Sequence, residues 1–358
     1  MASIINTSGL ILNPEEVRLV SEFVMANFLE MPDLNLLHNV NSGVAIKEQI
    51  IIANALRLSG IASTSCARVS SGGQATLTQK YWDPKDIADT FINCQKDLDK
   101  LFKAYYGQVK AYRALYDFTE GVSDFAVFVS AWVLDSMRKA VLRYAWLGDT
   151  TVSTATGGAA GLLSAGNAQF YNVITGVWKQ VFGAVGLPLV AISENALATK
   201  ALQTTLAADR AMTLMEAVVG KANATLRGDK TAKIYLTGRL FQNYKNSLRK
   251  AGTALDVTVL ENGIAVTKYD GYDVINTETF VDVNLEADFA ATNANNAYYL
   301  PNRILFTSPN NIPLGTVEEA SMSNIESFWD QVSRQNYTAY GFTLDTVLID
   351  PSVAVAAY

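Results

Sequence analysis

The sequence has few of the residues that most often carry catalysis or hold metal ions. It contains one histidine, His38, and two cysteines, Cys66 and Cys94, which are 28 positions apart and have no CxxC spacing. Zinc sites need clustered cysteine and histidine ligands, and a disulfide framework needs several paired cysteines. Neither pattern is present, so we expect a chain that folds in a reducing compartment without a metal ion.

Charged residues are also few, and basic residues are the minority among them. The chain has 28 Lys+Arg against 34 Asp+Glu, a net charge of −6, and a charged fraction of 17%. Dedicated nucleic-acid-binding proteins carry a basic surplus, so sequence-specific DNA recognition is not predicted. The charged fraction lies below the about 25% of average soluble domains, which favours neutral or apolar surface of the kind used in self-association.

Long apolar runs and basic residues near the start of the sequence are missing as well. No window reaches the ~18 apolar residues of a membrane span, and residues 1–12 contain no Lys or Arg. We therefore predict neither secretion nor membrane insertion.

The sequence lacks the short motifs of common enzyme and cofactor sites. It has no GK[ST] phosphate loop, GxGxxG turn, GxSxG elbow, HExxH helix or EF-hand pattern, and the Gly157–Gly161 run is interpreted as a flexible loop. His38 is interpreted as structural, and the five dispersed tryptophans favour core or interface packing. We predict no catalytic, metal-binding or cofactor-binding residue and no cofactor. An enzyme whose cleft forms only in three dimensions is kept as an alternative.

What the chain does have is enough apolar material for a large core. Its 358 residues are 49% hydrophobic and 10% aromatic, which suits one elaborate domain or two ordinary ones. A helix is predicted over residues 14–30, with Asn13 as its cap and Pro32 after its end. A strand is predicted over 44–54, and extended structure resumes at 75–82 after a Ser-Ser-Gly-Gly turn, which together predict a long two-stranded excursion.

The strongest helical pattern lies between Ser123 and Gly148. Apolar residues recur there at helical spacing, so we predict a long helix that acts as a spine. The Gly-, Ala-, Ser- and Thr-rich stretch Asp149–Gly166 predicts a loop at a boundary between subregions.

Later segments alternate between helix and strand patterns, which favours an α+β fold over a doubly wound sheet. Helices are predicted at 170–181, 195–226 and 325–331, and after the 233–237 strand up to Gly252. Strands are predicted at 233–237, 303–307 and 340–346, and in a hairpin at 255–268 around an Asn-Gly turn.

The order of these elements resembles that of the tailed-phage major capsid protein with the Hong Kong 97 fold. The excursion Val44–Trp82 resembles the extended loop of that family, and the Ser123–Leu147 helix resembles its spine helix. The segments KIYLTGRLFQNYKNSLRKAG (Lys233–Gly252), KYDGYDVI (Lys268–Ile275) and RILFTSPNNIPLGT (Arg303–Thr316) resemble parts of its axial domain and late strands. A further segment, FYNVITGVWKQ at 170–180, is similar to capsid proteins of phages that infect Bacteroidetes, including relatives of the crAss-like group.

The resemblance implies an α+β, Hong Kong 97-like capsid fold with an extended β-loop, a long spine helix, a peripheral domain and an axial domain. It divides the chain into an N-terminal arm and helix (1–40), the extended β-loop (41–82) and the peripheral domain with the spine helix (83–150). The axial domain (151–265) follows, and a late β segment (266–358) returns to the peripheral domain and completes the axial domain.

The resemblance also implies a structural protein that self-assembles into pentamers and hexamers of an icosahedral shell around double-stranded DNA, in a virion capsid assembled in the host cytoplasm. Its implied partners are further copies of itself, a portal, separate scaffold or decoration proteins, and packaged DNA bound without sequence specificity, with no membrane. An encapsulin-like compartment is the alternative within the same fold. We expect the assembly interface to include Lys47, Ile50, Ile51, Ile52, Lys80, Tyr81, Trp82 and Asp149.

Overall fold

The computed structural model contains helices and strands in mixed order, so the chain is an α+β protein as predicted. The residues that the structure describes are 15–20, 32–50, 80–94, 100, 123–152, 167–252, 257–260, 263–289, 297–317, 326–330, 332–333 and 335–358.

The helices differ widely in length, and one of them dominates. The described α-helices are residues 15–20 (α1), Pro32–Leu37 (α2), Asp124–Leu147 (α3), Val177–Gly183 (α4), Lys200–Thr204 (α5), Arg210–Lys221 (α6), Ala224–Gly228 (α7), Gly238–Lys250 (α8) and Val283–Asp288 (α9). A five-residue π-helix, Glu278–Asp282, leads directly into α9.

The strands are mostly short and form two mixed sheets. The described strands are Val40–Ser42 (β1), Lys85–Cys94 (β2), Leu189–Val190 (β3), Lys233–Leu236 (β4), Thr258–Val259 (β5), Ala265–Tyr269 (β6), Tyr272–Asn276 (β7), Ile304–Thr307 (β8), Leu314–Thr316 (β9), Glu326–Asp330 (β10), Gln335–Thr346 (β11) and Ala354–Ala357 (β12).

Sheet one joins the early and late parts of the chain. Its strands follow the order β1-β9-β11-β10, and β2 also pairs with β11. β2 and β10 both run antiparallel to β11, with Tyr337 opposite Ile92 on β2 and opposite Phe328 on β10. One face of β11 is buried, since Tyr340, Phe342 and Leu344 are 4% exposed or less.

Sheet two has the strand order β3-β12-β8-β4-β7-β6-β5. β4 is buried at three of its four residues and pairs in parallel with β7 and antiparallel with β8. Between β4 and β7 the chain forms α8, whose end is followed by Gly252 at a φ of +67°. The predicted strand-helix-strand unit and the hairpin strands on either side of Gly263 are thus confirmed.

The long helix α3 is the predicted spine helix. Ser123 caps its start by accepting a hydrogen bond from the Ala126 amide at 3.2 Å, and the helix ends at Gly148. Its apolar side chains are buried around most of its circumference, which is typical of a helix inside a core rather than on a surface. The predicted stripe is buried in full: Ala126, Val129, Val133, Met137, Ala140, Tyr144 and Leu147. Among the described helices, none has the length and apolarity needed to cross a lipid bilayer.

Trp146 joins the spine helix to sheet two. It is fully buried, and its ring lies 5.1 Å from that of Tyr235 on β4, 5.4 Å from Phe280 in the π-helix and 5.4 Å from His38. These tilted aromatic contacts come from four separate parts of the chain. Packing at Trp146 therefore sets how the spine helix meets the sheet.

The prediction of a short helix at 325–331 is wrong, because residues 326–330 form strand β10. β10 pairs along its whole length with β11, and the ring of Phe328 stacks on that of Tyr337 at 5.0 Å. Cross-strand pairing of this kind outweighs a weak local helical preference.

The strand predicted over 44–54 is wrong in its described part. Residues 46–47 form a turn in which Lys47 has a φ of 64°, and the Glu48 carboxylate accepts a hydrogen bond from the Ala45 amide at 2.8 Å. Pairing starts only at Gln49, which forms a bridge with Tyr81. The remainder of the predicted excursion, residues 51–79, lies outside the described residues.

Two predicted helices are shorter than expected. The 170–181 pattern becomes helical only from Val177, because residues 171–176 bond to the end of the spine helix instead. The 195–226 pattern is broken into α5, α6 and α7, with Asp209 at a φ of 59° before α6. The face predicted from this pattern is nevertheless buried: Leu214, Val218, Ala222 and Leu226.

Candidate assembly surfaces

The two ends of the excursion are tied together where they leave the body of the protein. The Ile50 amide donates to the Lys80 carbonyl at 2.9 Å, the Trp82 amide to Glu48 at 2.9 Å, and the Lys47 amide to Trp82 at 2.7 Å. Residues 51–79 therefore start and end at one closed antiparallel base. Ile51 and Ile52, two of the predicted interface residues, lie outside the described residues.

A small apolar cluster fixes this base to sheet one. Ile50 and Trp82 are 8% and 6% exposed and pack with Val44 and Val347. The Trp82 ring lies so close to Gly315 on β9 that a Cβ there would stand 2.6 Å from ring carbons. Ile50 and Trp82 thus face the interior of their own subunit and hold the base in place.

The polar residues of the base divide into anchored and exposed ones. The Lys80 ammonium donates a hydrogen bond to the Leu348 carbonyl, and burial lowers its pKa while Asp350 raises it. Lys47 is exposed, and Tyr81 is 53% exposed. Of the described base residues in the predicted interface, Lys47 and Tyr81 are the ones with side chains open to a neighbour.

Asp149 occupies a different place, at the end of the spine helix. Its carboxylate accepts from the Lys179 ammonium at 2.9 Å, from the Thr151 amide at 2.8 Å and from the Thr151 hydroxyl at 2.7 Å. These partners all lie in the joint between α3 and α4. Among the described residues, no contact joins Asp149 to the base of the excursion. The predicted interface residues therefore form two groups. Their role in assembly stays a prediction.

A surface that the sequence reasoning missed lies on the outer face of sheet one. Ile92, Tyr337 and Phe328 form a row across β2, β11 and β10, because Tyr337 is the register partner of both other residues. Ile92 is 55% and Phe328 52% exposed. The alternating pattern of β11 could have revealed Tyr337 as an outward position, whereas β2 was not predicted and β10 was assigned to a helix.

The charges on this outer face have one sign. At the outward positions of β2 and β10 stand Asp86, Glu326 and Asp330, and these described positions include no lysine or arginine. The opposite face of the same strands packs on the spine helix, with Phe91 stacked on Trp132 at 4.4 Å. The outer face is therefore an apolar row bordered by acidic residues.

His38 is buried in the core, and its side chain makes one hydrogen bond there. It is 1% exposed, and its Nδ1 donates to the Ile312 carbonyl at 2.7 Å. Nε2 has no hydrogen-bond partner, and burial lowers the pKa of the imidazole to about 4. The ring is thus neutral at physiological pH and makes core contacts, in keeping with the structural interpretation.

We expect His38 to make the folded chain less stable as the pH falls. Between pH 6.5 and about 4 the unfolded chain binds a proton at this ring that the folded chain does not, so the free energy of unfolding decreases by up to about 3 kcal/mol. Urea unfolding of the parent and of His38→Gln at pH 7, 6, 5 and 4 measures this. The variant should lack this part of the pH dependence, and equal slopes for both proteins would contradict the assignment.

Comparisons with known proteins show the fold. Searches against protein families and curated proteins find no match. Among solved structures, the chain is similar to a chain of the satellite phage P4 procapsid including size determination (Sid) protein. The TM-score is 0.58, the sequence identity is 10%, and the alignment covers 94% of this chain and 98% of that chain. It is also similar to the capsid of the native GTA particle, with a TM-score of 0.46, 14% identity, and 90% and 88% covered.

The procapsid similarity spans nearly the whole of both chains, and its TM-score exceeds 0.5. The chain therefore has the Hong Kong 97-like capsid fold, as the family resemblance implied. The comparisons give no support to the narrower placement among phages of Bacteroidetes.

Proposed function

We propose that this chain is a major capsid protein of a tailed phage, a structural subunit that assembles with copies of itself into a closed icosahedral shell. The observation that carries the proposal is the capsid fold shared over 94% of the chain with the procapsid chain. The role is structural rather than catalytic, and its place is the virion capsid, assembled in the host cytoplasm around DNA that it holds without sequence specificity. Portal, scaffold or decoration proteins are its further partners.

A closed shell requires heterologous contacts, in which one surface of a subunit meets a different surface of the next. The outer face of sheet one supplies one such surface, because its apolar row is open to solvent in the single subunit. Burying Ile92 and Phe328 against a neighbour would stabilise the contact by about 25 cal/mol for each Å² of apolar surface removed from water. The repetition of this modest gain around every ring stabilises the shell.

The segment between the two ends of the base supplies a matching partner. Residues 51–79 contain Ile51, Ile52 and other aliphatic residues, two arginines, Arg57 and Arg68, and no Asp or Glu. This apolar and cationic composition complements the apolar row and the acidic residues Asp86 and Glu326. In this proposal the segment of one subunit lies on the outer face of sheet one of the next subunit. This gives the interface predicted for Lys47 to Trp82 a surface on the neighbour.

The double variant Ile92→Thr/Phe328→Thr tests this contact. Both positions are exposed strand positions, and Phe328→Thr also removes the stack on Tyr337, so we expect the unfolding free energy to fall by no more than about 1 kcal/mol. We expect the assembled fraction, measured by mass photometry at fixed protein concentration, to fall at least tenfold. Val332→Thr is the matched control, because Val332 is 94% exposed in the adjoining turn and is not part of the row. Unchanged assembly of the double variant would refute the contact.

A further inference from the structure

A pocket of ≈ 230 Å³ opens at the joint between the end of the spine helix, α4 and the segment that precedes β8. It lies apart from the base of the excursion and from the outer face of sheet one, and Asp149, the remaining residue of the predicted interface, stands at its rim. Its walls are mainly apolar and aromatic, and they come from four separate parts of the chain: Leu147, Trp178, Phe182, Phe289 and Tyr299.

One buried cation is built into the wall of this pocket. Arg303 is 1% exposed, and its guanidinium donates from Nε to the Leu300 carbonyl at 2.7 Å and from Nη2 to the Tyr299 carbonyl at 3.1 Å. The guanidinium carbon lies 5.2 Å from the ring centroid of Trp178 and 5.3 Å from that of Phe182. Two carbonyls and these ring faces hold the charge in one orientation.

The charge of Arg303 is not neutralised by a contacting carboxylate in the described part of the chain. At the rim, Asp149 and Lys179 pair with each other at 2.9 Å and cancel. Asp282 interacts with Arg303 only at longer range. The Asp282 carboxylate lines a different cleft, where it accepts a hydrogen bond from the Gly238 amide at 2.7 Å. Burial lowers the pKa of Arg303 to about 10, so it is charged at neutral pH. The described residues that line the pocket therefore give it aromatic walls and a net charge of one positive unit.

We propose that this pocket binds a small apolar monoanion, a fatty or aromatic carboxylate, with its apolar body between the aromatic side chains and its carboxylate toward Arg303. Small-molecule sites are concave and mostly apolar, with few fixed polar groups, and their volumes are usually about 300–1,000 Å³. This pocket has that composition and a volume just below that range, which suits a small ligand. A cation that no described carboxylate contacts, in a site of low polarity, favours an anion over its neutral analogue. The inference is independent of shell assembly and goes beyond it.

Gly183 makes the pocket testable without removing Arg303. It is the last residue of α4, it lines the pocket, and a Cβ built on it meets no atom within 4 Å. A leucine at this position has space at the pocket wall, whereas an alanine adds only a methyl group. Gly183→Leu therefore adds a bulky side chain at a lining position without a clash, and Gly183→Ala, which adds one methyl group, is its matched control.

The test is calorimetric titration of the full-length protein with octanoate and with octanol. We expect octanoate to bind at one molecule per subunit, at least tenfold more tightly than octanol. Gly183→Leu should weaken octanoate binding at least tenfold, and Gly183→Ala should change it less than twofold. The proposal is overturned if the parent shows no saturable binding, if octanoate and octanol bind equally, or if folded Gly183→Leu binds like the parent. The comparison of octanoate with octanol uses the parent alone, so it decides the charge argument even if the leucine variant fails to fold.

Discussion

Alanine in place of Gly148 or Gly176 is expected to destabilise the folded chain by about 3 kcal/mol or more, or to prevent folding. These two glycines meet where the spine helix ends. A Cβ on Gly148 would stand 2.5 Å from the Tyr144 carbonyl oxygen and 2.6 Å from that of Ile174. A Cβ on Gly176 would stand 2.7 Å from the Gly148 nitrogen. Because the obstructing atoms are backbone, no side-chain rotation can relieve the contacts.

The effect on stability is large because hydrogen bonds hold the two segments at this distance. The Gly176 amide donates to the Gly148 carbonyl at 2.8 Å, and the Asp149 amide donates to the Tyr171 carbonyl at 2.7 Å. Separating the segments to admit a methyl group would weaken both bonds and move the neighbouring Trp146 core. This joint is therefore among the least tolerant positions in the described chain.

Gly220→Ala is the matched control for these variants. Gly220 lies within α6, is exposed, and has no atom within 4 Å of a built Cβ. Alanine there should be neutral or stabilise the helix by up to about 1 kcal/mol. Urea unfolding of the three variants measures the differences. Equal unfolding midpoints for Gly148→Ala, Gly176→Ala and Gly220→Ala would contradict the packing described for the joint.

The second large effect is expected from removing residues 51–79 while keeping the base of the excursion. The Ile50 amide and the Lys80 carbonyl are hydrogen-bonded, so an Asn-Gly turn can join these two residues. Ile50, Trp82 and the Lys80 contact to Leu348 all stay in place. We expect a folded subunit with parent-like circular dichroism and an assembled fraction at least tenfold lower.

Two charge variants test whether the positive charges of residues 51–79, and not only the presence of the segment, contribute to assembly. Arg57→Glu/Arg68→Glu should reduce assembly, because it places like charges against the acidic border of the outer face of sheet one. Arg57→Lys/Arg68→Lys keeps the positive charge and is the control. A deletion variant that assembles like the parent, or that unfolds while its base residues are retained, would contradict the assigned role.

The parts of the fold that were predicted correctly are those with local determinants. The spine helix has a capping serine, a terminating glycine and a continuous apolar pattern, all within 26 residues from Ser123 to Gly148. The β4-α8 segment and the β5-β6 hairpin likewise carry their signals in short segments, including Gly252 after the helix and Gly263 between the hairpin strands. Such signals act within a few residues, so they can be recognised without knowledge of the tertiary structure.

The parts that could not be predicted depend on contacts between distant positions. β10 is a strand because it pairs with β11, and the apolar row joins Ile92 to Phe328 and Tyr337 although more than 230 positions separate Ile92 from both. The burial of Ile50 and Trp82 depends on Gly315 and Val347 in the same way. The sequence indicated that Ile50 and Trp82 were apolar and belonged to the excursion. Only the tertiary structure reveals that they face the interior of the subunit, and only the register of the sheet reveals that Ile92 and Phe328 face outward.

Negative-stain electron microscopy with mass photometry, at low and high salt, tests the central claim most directly. The capsid assignment predicts closed shells of uniform diameter, or discrete rings of five and six subunits, with fewer assemblies in the deletion variant than in the parent. Shells that contain nucleic acid agree with a phage capsid, whereas shells that contain only a cargo protein would point to the encapsulin-like alternative. A monodisperse monomer or dimer at every salt and protein concentration would contradict the assignment.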